Sequence, residues 1–227
     1  VVKTPLFKIK NIEFVGQERV VQEVLMFQLA SAVGHGLLGQ LLGSDNYLTW
    51  PRGTITVAHP ALASVTIEKQ LFQKKIIIRV QEREKHGLWC LRRPNNNSEN
   101  CFWFDDEGVL FAEAPAGEGQ FVLRIESILS ETAALPKIGE KITEEKMLAY
   151  FQKIIRAATE TFSAKKFILD KENFELTTAA ANGPKLLFSL RFDPEINLAA
   201  LKTFSQQKEI TKISYIDLRV ESRLFYK

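Results

Sequence analysis

The sequence predicts an α+β protein with two regions: a small unit of strands and helices, then a larger antiparallel β-sheet domain carrying two or more packed helices. Three observations predict it. The first eighty or so residues run strand, helix, helix, then strands. From Lys85 onward strand patterns dominate. Within that larger region a pair of helical patterns stands apart, at 144–162 and 193–207.

The elements follow in order. Residues 7–15, FKIKNIEFV, alternate apolar and polar through Phe7, Ile9, Ile12, Phe14 and Val15, with a one-residue slip near Asn11, and Gly16 ends the strand. Helical spacing runs from Val20 through Val24, Leu25 and Phe27 to Leu29, and a second short helix is predicted at Leu37–Leu42, between Gly36 and Gly43. After the turn-rich GSDNYLTWPRG come strands at 54–57, in HPALASVTIEKQL and in KKIIIRVQER. The larger region opens with GLWC and CFWF flanking the polar loop LRRPNNNSEN, followed by VLFAEA and FVLRIES. A helix over 144–162, with Thr143 as its expected N-cap, has Met147, Leu148, Phe151, Ile154, Ile155, Ala158 and Phe162 on one stripe. KKFILD and NFELTT form a hairpin around Lys171, Asn182-Gly183 signals a turn before KLLFSLRF, and Asp193-Pro194 starts a helix ending near Gln207. A last strand is expected over 213–226, with Ile216, Leu218 and Val220 on one face and Asp217, Arg219, Glu221 and Arg223 on the other.

Composition narrows the function classes. With 227 residues, 45% hydrophobic and 25% charged, the chain has the makings of a proper core. Thirty Lys and Arg against 27 Asp and Glu give a small positive surplus, spread over pairs such as Lys74/Lys75, Arg92/Arg93 and Lys165/Lys166. Nucleic-acid binders are normally denser in basic residues, and the 16 Phe follow core periodicity with no interleaved Arg or Lys. No run approaches the ~18 apolar residues of a membrane helix. The longest apolar region, 20–42, is broken by Gln22, Glu23, Gln28, His35 and several glycines. The chain starts at Val1, and a segment upstream of it is compatible with that start.

Ten residues separate Cys90 from Cys101, the two cysteines of the chain. If their strands pair, the thiols face each other within disulfide reach, which suits an oxidising, extracytoplasmic setting. The alternative is two free, half-buried thiols. No metal site is expected from two thiols and His86.

Catalytic signatures are missing. His35, His59 and His86 lie in different elements without HExxH spacing, and no GxSxG or SxxK occurs. GHGLLG is not GxGxxG and follows no strand. Asp105/Asp106 and Glu144/Glu145 are sequence neighbours, which point apart on a strand or helix. Neither an enzyme nor a cofactor is expected.

Four segments in order carry a resemblance. FKIKNIEFVGQERV is similar to the first strand and following Gly of a POTRA domain, and ALASVTIEKQLFQKKIIIRVQEREKHGLWC resembles its closing strands running into a Glu-Arg pair, Glu82 and Arg83, and an aromatic, Trp89. FWFDDEGVLF, with Asp105 and Gly108, resembles the strand-turn-strand that opens a second, β-rich domain. ISYIDLRVESRLFYK, with Tyr215, Asp217, Leu218 and Arg219, resembles that domain's terminal strand. Together they resemble the FtsQ/DivIB family of bacterial cell-division proteins.

The resemblance implies a membrane-proximal linker at 1–6, a POTRA domain (β-α-α-β-β) at 7–82 and a β-domain at 83–227 that ends in a partner-binding strand. It implies a single membrane anchor upstream of residue 1, placing this portion outside the cytoplasm at the septum of the dividing cell. The family's role is non-enzymatic: assembly of the septal peptidoglycan machinery, with an FtsB/DivIC-type partner adding a β-strand in complex with an FtsL-type protein. Carried over, that contact falls on Arg219, Val220, Glu221, Ser222 and Arg223, with Leu224 and Phe225 continuing the edge and Lys171 as a supporting basic residue. The POTRA domain is implied to recruit upstream division proteins. Val220 stands where many relatives carry an aromatic, and the cysteine hairpin is not a general family feature. A POTRA-containing factor for protein translocation or outer-membrane assembly is the competing expectation, set back by the lack of tandem POTRA repeats or a barrel.

Overall fold

The computed structural model describes residues 7–227 except 17, 19, 21, 35, 36, 56, 58, 95–98, 116–121, 131, 180–182 and 207–209. The expected linker at 1–6, His35, most of the NNNSEN loop, Asn182 and the expected helix end at Gln207 therefore lie outside the described residues. The chain divides into two compact units, Val1–Arg83 and Glu84–Lys227.

The first unit contains β1 (Asn11–Val15), α1 (Gln22–Gly34), α2 (Leu37–Leu42), β2 (Gly53–Ile55), β3 (Leu62–Gln70) and β4 (Lys75–Glu82). Its sheet runs β1-β4-β3-β2, with β1 parallel to β4 and the other neighbours antiparallel. Leu25, Leu29 and Val33, one helical turn apart along α1, join Ile67, Ile76, Ile78 and Val80 in one buried cluster. Val24 and Phe27, which share the helical spacing, face outward, Phe27 at 77% exposure. The Glu82 carboxylate at the end of β4 accepts the backbone N–H groups of Glu18 (2.8 Å) and Val20 (2.9 Å), which fixes the approach to α1.

The second unit contains β5 (Gly87–Arg92), β6 (Glu99–Phe104), β7 (Leu110–Ala114), β8 (Leu123–Ile128), α3 (Glu145–Phe162), β9 (Lys166–Asp170), β10 (Glu175–Ala179), β11 (Lys185–Ser189), α4 (Glu195–Ser205), β12 (Tyr215–Leu218) and β13 (Phe225–Tyr226). They form a single sheet ordered β13-β12-β11-β10-β9-β8-β5-β6-β7. The sheet is mixed, which corrects the antiparallel expectation: β5 and β8, β8 and β9, and β11 and β12 pair in parallel. Two of these parallel pairs are joined through a helix, α3 between β8 and β9 and α4 between β11 and β12, since a parallel neighbour needs a crossover rather than a tight turn.

The α3 stripe buries Leu148, Phe151, Ile154, Ile155 and Ala158, with Met147 and Phe162 half-buried at its margins. These pack with Phe167, Leu176, Leu186, Phe188 and Ile216 in the main core. The expected Thr143 cap is not formed. Glu144 occupies the cap position without a side-chain cap bond. On β5 and β6 both faces are covered: Trp89, Leu91, Phe102 and Phe104 enter the main core, and Leu88, Cys90, Cys101 and Trp103 form a second cluster with Phe111. In the Asp105-Gly108 turn the Asp105 carboxylate accepts the Val109 N–H at 2.8 Å, and Gly108 takes φ +71°.

Candidate functional site

The terminal segment departs from the continuous strand expected over 213–226. Strand β12 stops at Leu218, residues 219–224 turn, and β13 folds back antiparallel on β12, pairing Asp217 with Phe225 and Ile216 with Tyr226. Val220 thus leaves the buried face and is 46% exposed. Ser222 sits in the left-handed region at φ +57°, the conformation the turn needs in a stretch with no glycine.

A buried side chain from α4 holds this turn. Asn197 is 2% exposed. Its Nδ2 donates to the carbonyls of Leu218 (2.9 Å), Val220 (2.8 Å) and Arg223 (3.3 Å), and its Oδ1 accepts the Ser222 N–H at 2.8 Å. Nothing in the local sequence around Asn197 distinguishes it from an ordinary first-turn helix residue, and sequence reasoning passed over it. At the far end of the hairpin Tyr215 and Lys227 exchange backbone bonds, and the Tyr226 ring packs on Phe204 of α4 with centroids 4.8 Å apart.

Because Tyr215 and Lys227 are a bonded pair, antiparallel alternation turns the N–H and C=O groups of Leu224 and Tyr226 away from β12. No hydrogen bond among the described residues meets those four groups. The opposite rim of the sheet differs. Leu110 on β7 donates to Glu140 and accepts from Gly139, Ile142 donates to Gly108, and Val109 bridges Lys141. Residues 139–142 therefore cover the start of β7, while β13 presents an open backbone edge. Beside that edge lie the exposed side chains of Val220, Phe225 and Tyr226.

The residues expected to bind a partner divide accordingly. Arg219, Val220, Glu221, Ser222, Arg223 and Leu224 form the turn and the entry to β13, and Phe225 lies on it. Arg219 is engaged within the sheet: its guanidinium bonds Asp217 through Nε (3.0 Å) and Nη2 (2.7 Å) and reaches Glu175 on β10 at 3.1 Å. Lys171 is not brought to this rim. It sits at the β9–β10 turn, with β11 and β12 between that hairpin and β13, and its ammonium lies 4.2 Å from the centroid of the Trp89 ring.

The Arg219 side-chain hydrogen bond holds the Asp217 carboxyl below the ordinary aspartate range against the opposing effect of burial, and the same contact pushes the Arg219 pKa up. Because folding depresses this carboxylate's pKa, the pair stabilises the hairpin above the ordinary value of about 3.9 and loses that contribution as pH falls through the lowered one. Asp217→Asn is therefore expected to lower stability slightly at pH 7, by well under about 1 kcal/mol for a pair this open to solvent, read as a small fall in Tm. The gap between variant and wild type should narrow as pH falls below the ordinary aspartate value and close once it has passed through the lowered one. A gap that persists there would assign the loss to something other than charge.

Cys90 and Cys101 stand directly opposite in the β5–β6 register and form a disulfide, S–S 2.03 Å, leaving no free cysteine. Their sulfurs and the Glu99 carboxylate lie within 4.8 Å of one another, but sulfurs bonded to each other offer no thiolate to a metal ion. Thiol labelling of the unreduced, denatured protein is expected to find no reactive cysteine. Reduction should cost about 2–3 kcal/mol, the loop-closure value for so short a ring. Two labelled thiols before reduction would remove the crosslink.

Two clefts in the second unit have the size to host chemistry. One, of about 690 Å³, is lined by Lys141, Glu144, Glu145, Asp170 and Lys171 among others, and the other, of about 510 Å³, by His86, Asp106, Gln152, Arg156, Thr159 and Glu160. In the second, the Thr159 hydroxyl is committed to the Ala164 carbonyl at 2.9 Å. His59 lies outside both. No protein-family model matches the chain, and no curated protein matches it.

Proposed function

We propose that the chain is the extracytoplasmic portion of a single-pass cell-membrane protein of the FtsQ/DivIB type, a non-enzymatic division scaffold at the septum. In this reading it binds FtsB/FtsL-type partners by β-strand addition along β13 and helps assemble the septal peptidoglycan machinery. The observation that carries the reading is the asymmetry of the nine-stranded sheet: residues 139–142 cover the start of β7 at one rim, while at the other no bond among the described residues meets the outward groups of Leu224 and Tyr226. The first unit supports it. Its course is β-α-α-β-β-β, one short strand (β2) more than the expected β-α-α-β-β, and the placing of β1 parallel beside the last strand suits a POTRA module through which upstream division proteins would act.

The energetics of strand addition fit the edge. Two N–H and two C=O groups face outward, and at roughly 0.5–1.5 kcal/mol net per bond they supply about 2–6 kcal/mol. Apolar contact with Val220, Phe225 and Tyr226 would carry the sum toward the ~8 kcal/mol of a micromolar complex.

A photo-crosslinking residue at position 225 of the full-length protein, in its native membrane, is expected to trap an FtsB/DivIC-type protein. The same residue at position 113 on β7 should not. Equal products from both positions, or none from 225, would refute the reading.

A further inference from the structure

We infer that Asn197 is the positioning residue of the partner-binding edge: its carboxamide, and not the strand sequence alone, sets β13 in register on β12 and so orients the outward backbone groups. The inference rests on the strand-addition reading and adds the residue that controls it. The chemistry of the site is specific to an amide. Three carbonyls surround Nδ2 and only a donor satisfies them, while the Ser222 N–H requires an acceptor in the same side chain. Aspartate would set a charge against three carbonyl oxygens. Leucine would take the acceptor from the Ser222 N–H and the side-chain donor from the three carbonyls, of which that of Val220 still accepts the Arg223 N–H, and glutamine would carry the amide one methylene too far.

The need for such a clamp is visible in what else holds the hairpin. Strand β13 is two residues long, and short two-stranded ribbons are marginal by themselves. The turn contains no glycine, and Ser222 sits at a positive φ that L side chains rarely adopt. The Tyr226 ring on Phe204, the half-buried Leu224 and the bonds of Ser214 and Tyr215 to Lys227 hold β13 itself, and among the described residues the four Asn197 bonds are what tie the 218–223 backbone to α4. Asn197 in turn is fixed by its place in the first turn of α4, where the Asp193 carboxylate accepts the Glu195 N–H at 3.1 Å.

The test uses the whole chain and the coexpressed FtsB/FtsL-type pair of the same cell. In Asn197→Ala the amides of residues 215 and 217, which face β13, are expected to lose hydrogen-exchange protection while those of β10 and β11 keep theirs. Affinity for the pair should fall roughly 10- to 100-fold. Adding Ser222→Gly, which removes the positive-φ penalty, is expected to recover a substantial share of both. Leu201→Ala, a core change on the same helix, serves as the control: it should lower Tm at least as much and leave affinity unchanged when assayed well below Tm. Hairpin amides that stay protected in Asn197→Ala would overturn the inference, as would full affinity despite exposed amides or an equal affinity loss in Leu201→Ala. Failure of the wild type itself to bind the pair would instead sink the strand-addition reading, and the exchange data would then decide alone whether Asn197 positions the hairpin.

Discussion

Replacing Ser222 with proline is expected to abolish capture of an FtsB/FtsL-type pair while the second unit stays folded. Proline fixes φ near −65°, and the turn requires +57° at this position. It also removes the N–H that Asn197 accepts, leaving a buried carboxamide oxygen without its donor. The two effects together exceed the ~3 kcal/mol of a misplaced proline, more than a two-residue strand can resist, so β13 detaches. The remaining sheet is insulated, because Ile216 and Leu218 pair with β11 and are buried in the main core independently of the hairpin. The measurement is a pull-down alongside a thermal melt. Unchanged binding would exclude this rim as the contact, and a melt shifted as far as global unfolding would show that the hairpin is not separable. Ser222→Gly should go the other way, retaining binding and gaining up to about 1 kcal/mol by relieving the positive φ.

Gly16→Ala is expected to destabilise the first unit by about 2–5 kcal/mol, from a positive-φ penalty of ~1–2 kcal/mol plus overpacking of ~1–3 kcal/mol. Gly16 leaves β1 at φ +87°, and a Cβ there would lie 2.4 Å from the Val80 carbonyl oxygen. That oxygen belongs to the backbone of β4, the strand on which β1 is paired, so it cannot swing aside as a side chain would. Amide exchange over residues 7–83, read against residues 84–227 in the same sample, isolates the effect to one unit. A loss below ~1 kcal/mol would mean that the β1–β4 pairing relaxes more readily than close-packed backbone should.

The coarse α+β architecture was legible because its signals are local. The 3.6-residue stripe of α3 and the alternation in FKIKNIEFV each follow from one inward face. The glycine-bracketed α2 could be placed by its punctuation, and the Cys90–Cys101 pairing was visible as one of two options because polar loop residues separate two strand patterns. Parallel pairing was not legible. Which strand lies beside β8 is decided by the path of α3 across the sheet, and the α3 sequence encodes only its own buried face. The 219–224 turn was missed for a different reason. Its sequence continues an alternating pattern and lacks glycine, and the information that bends it sits more than twenty residues away in the Asn197 carboxamide. Phe27 shares the helical spacing of α1 yet faces outward, because that helix is apolar on more than one side and spacing cannot say which side meets the sheet.

The covered start of β7 has a consequence for how copies of this sheet behave toward one another. A ribbon whose two margins were both unsatisfied would be able to stack end upon end without limit, each molecule templating the next. Here residues 139–142 already occupy the outward groups of Leu110, which shortens the backbone that one margin of the larger sheet offers to a second copy. A contact between two copies through β13 would bury that margin on both, and a foreign strand seated there would leave neither copy free to make it.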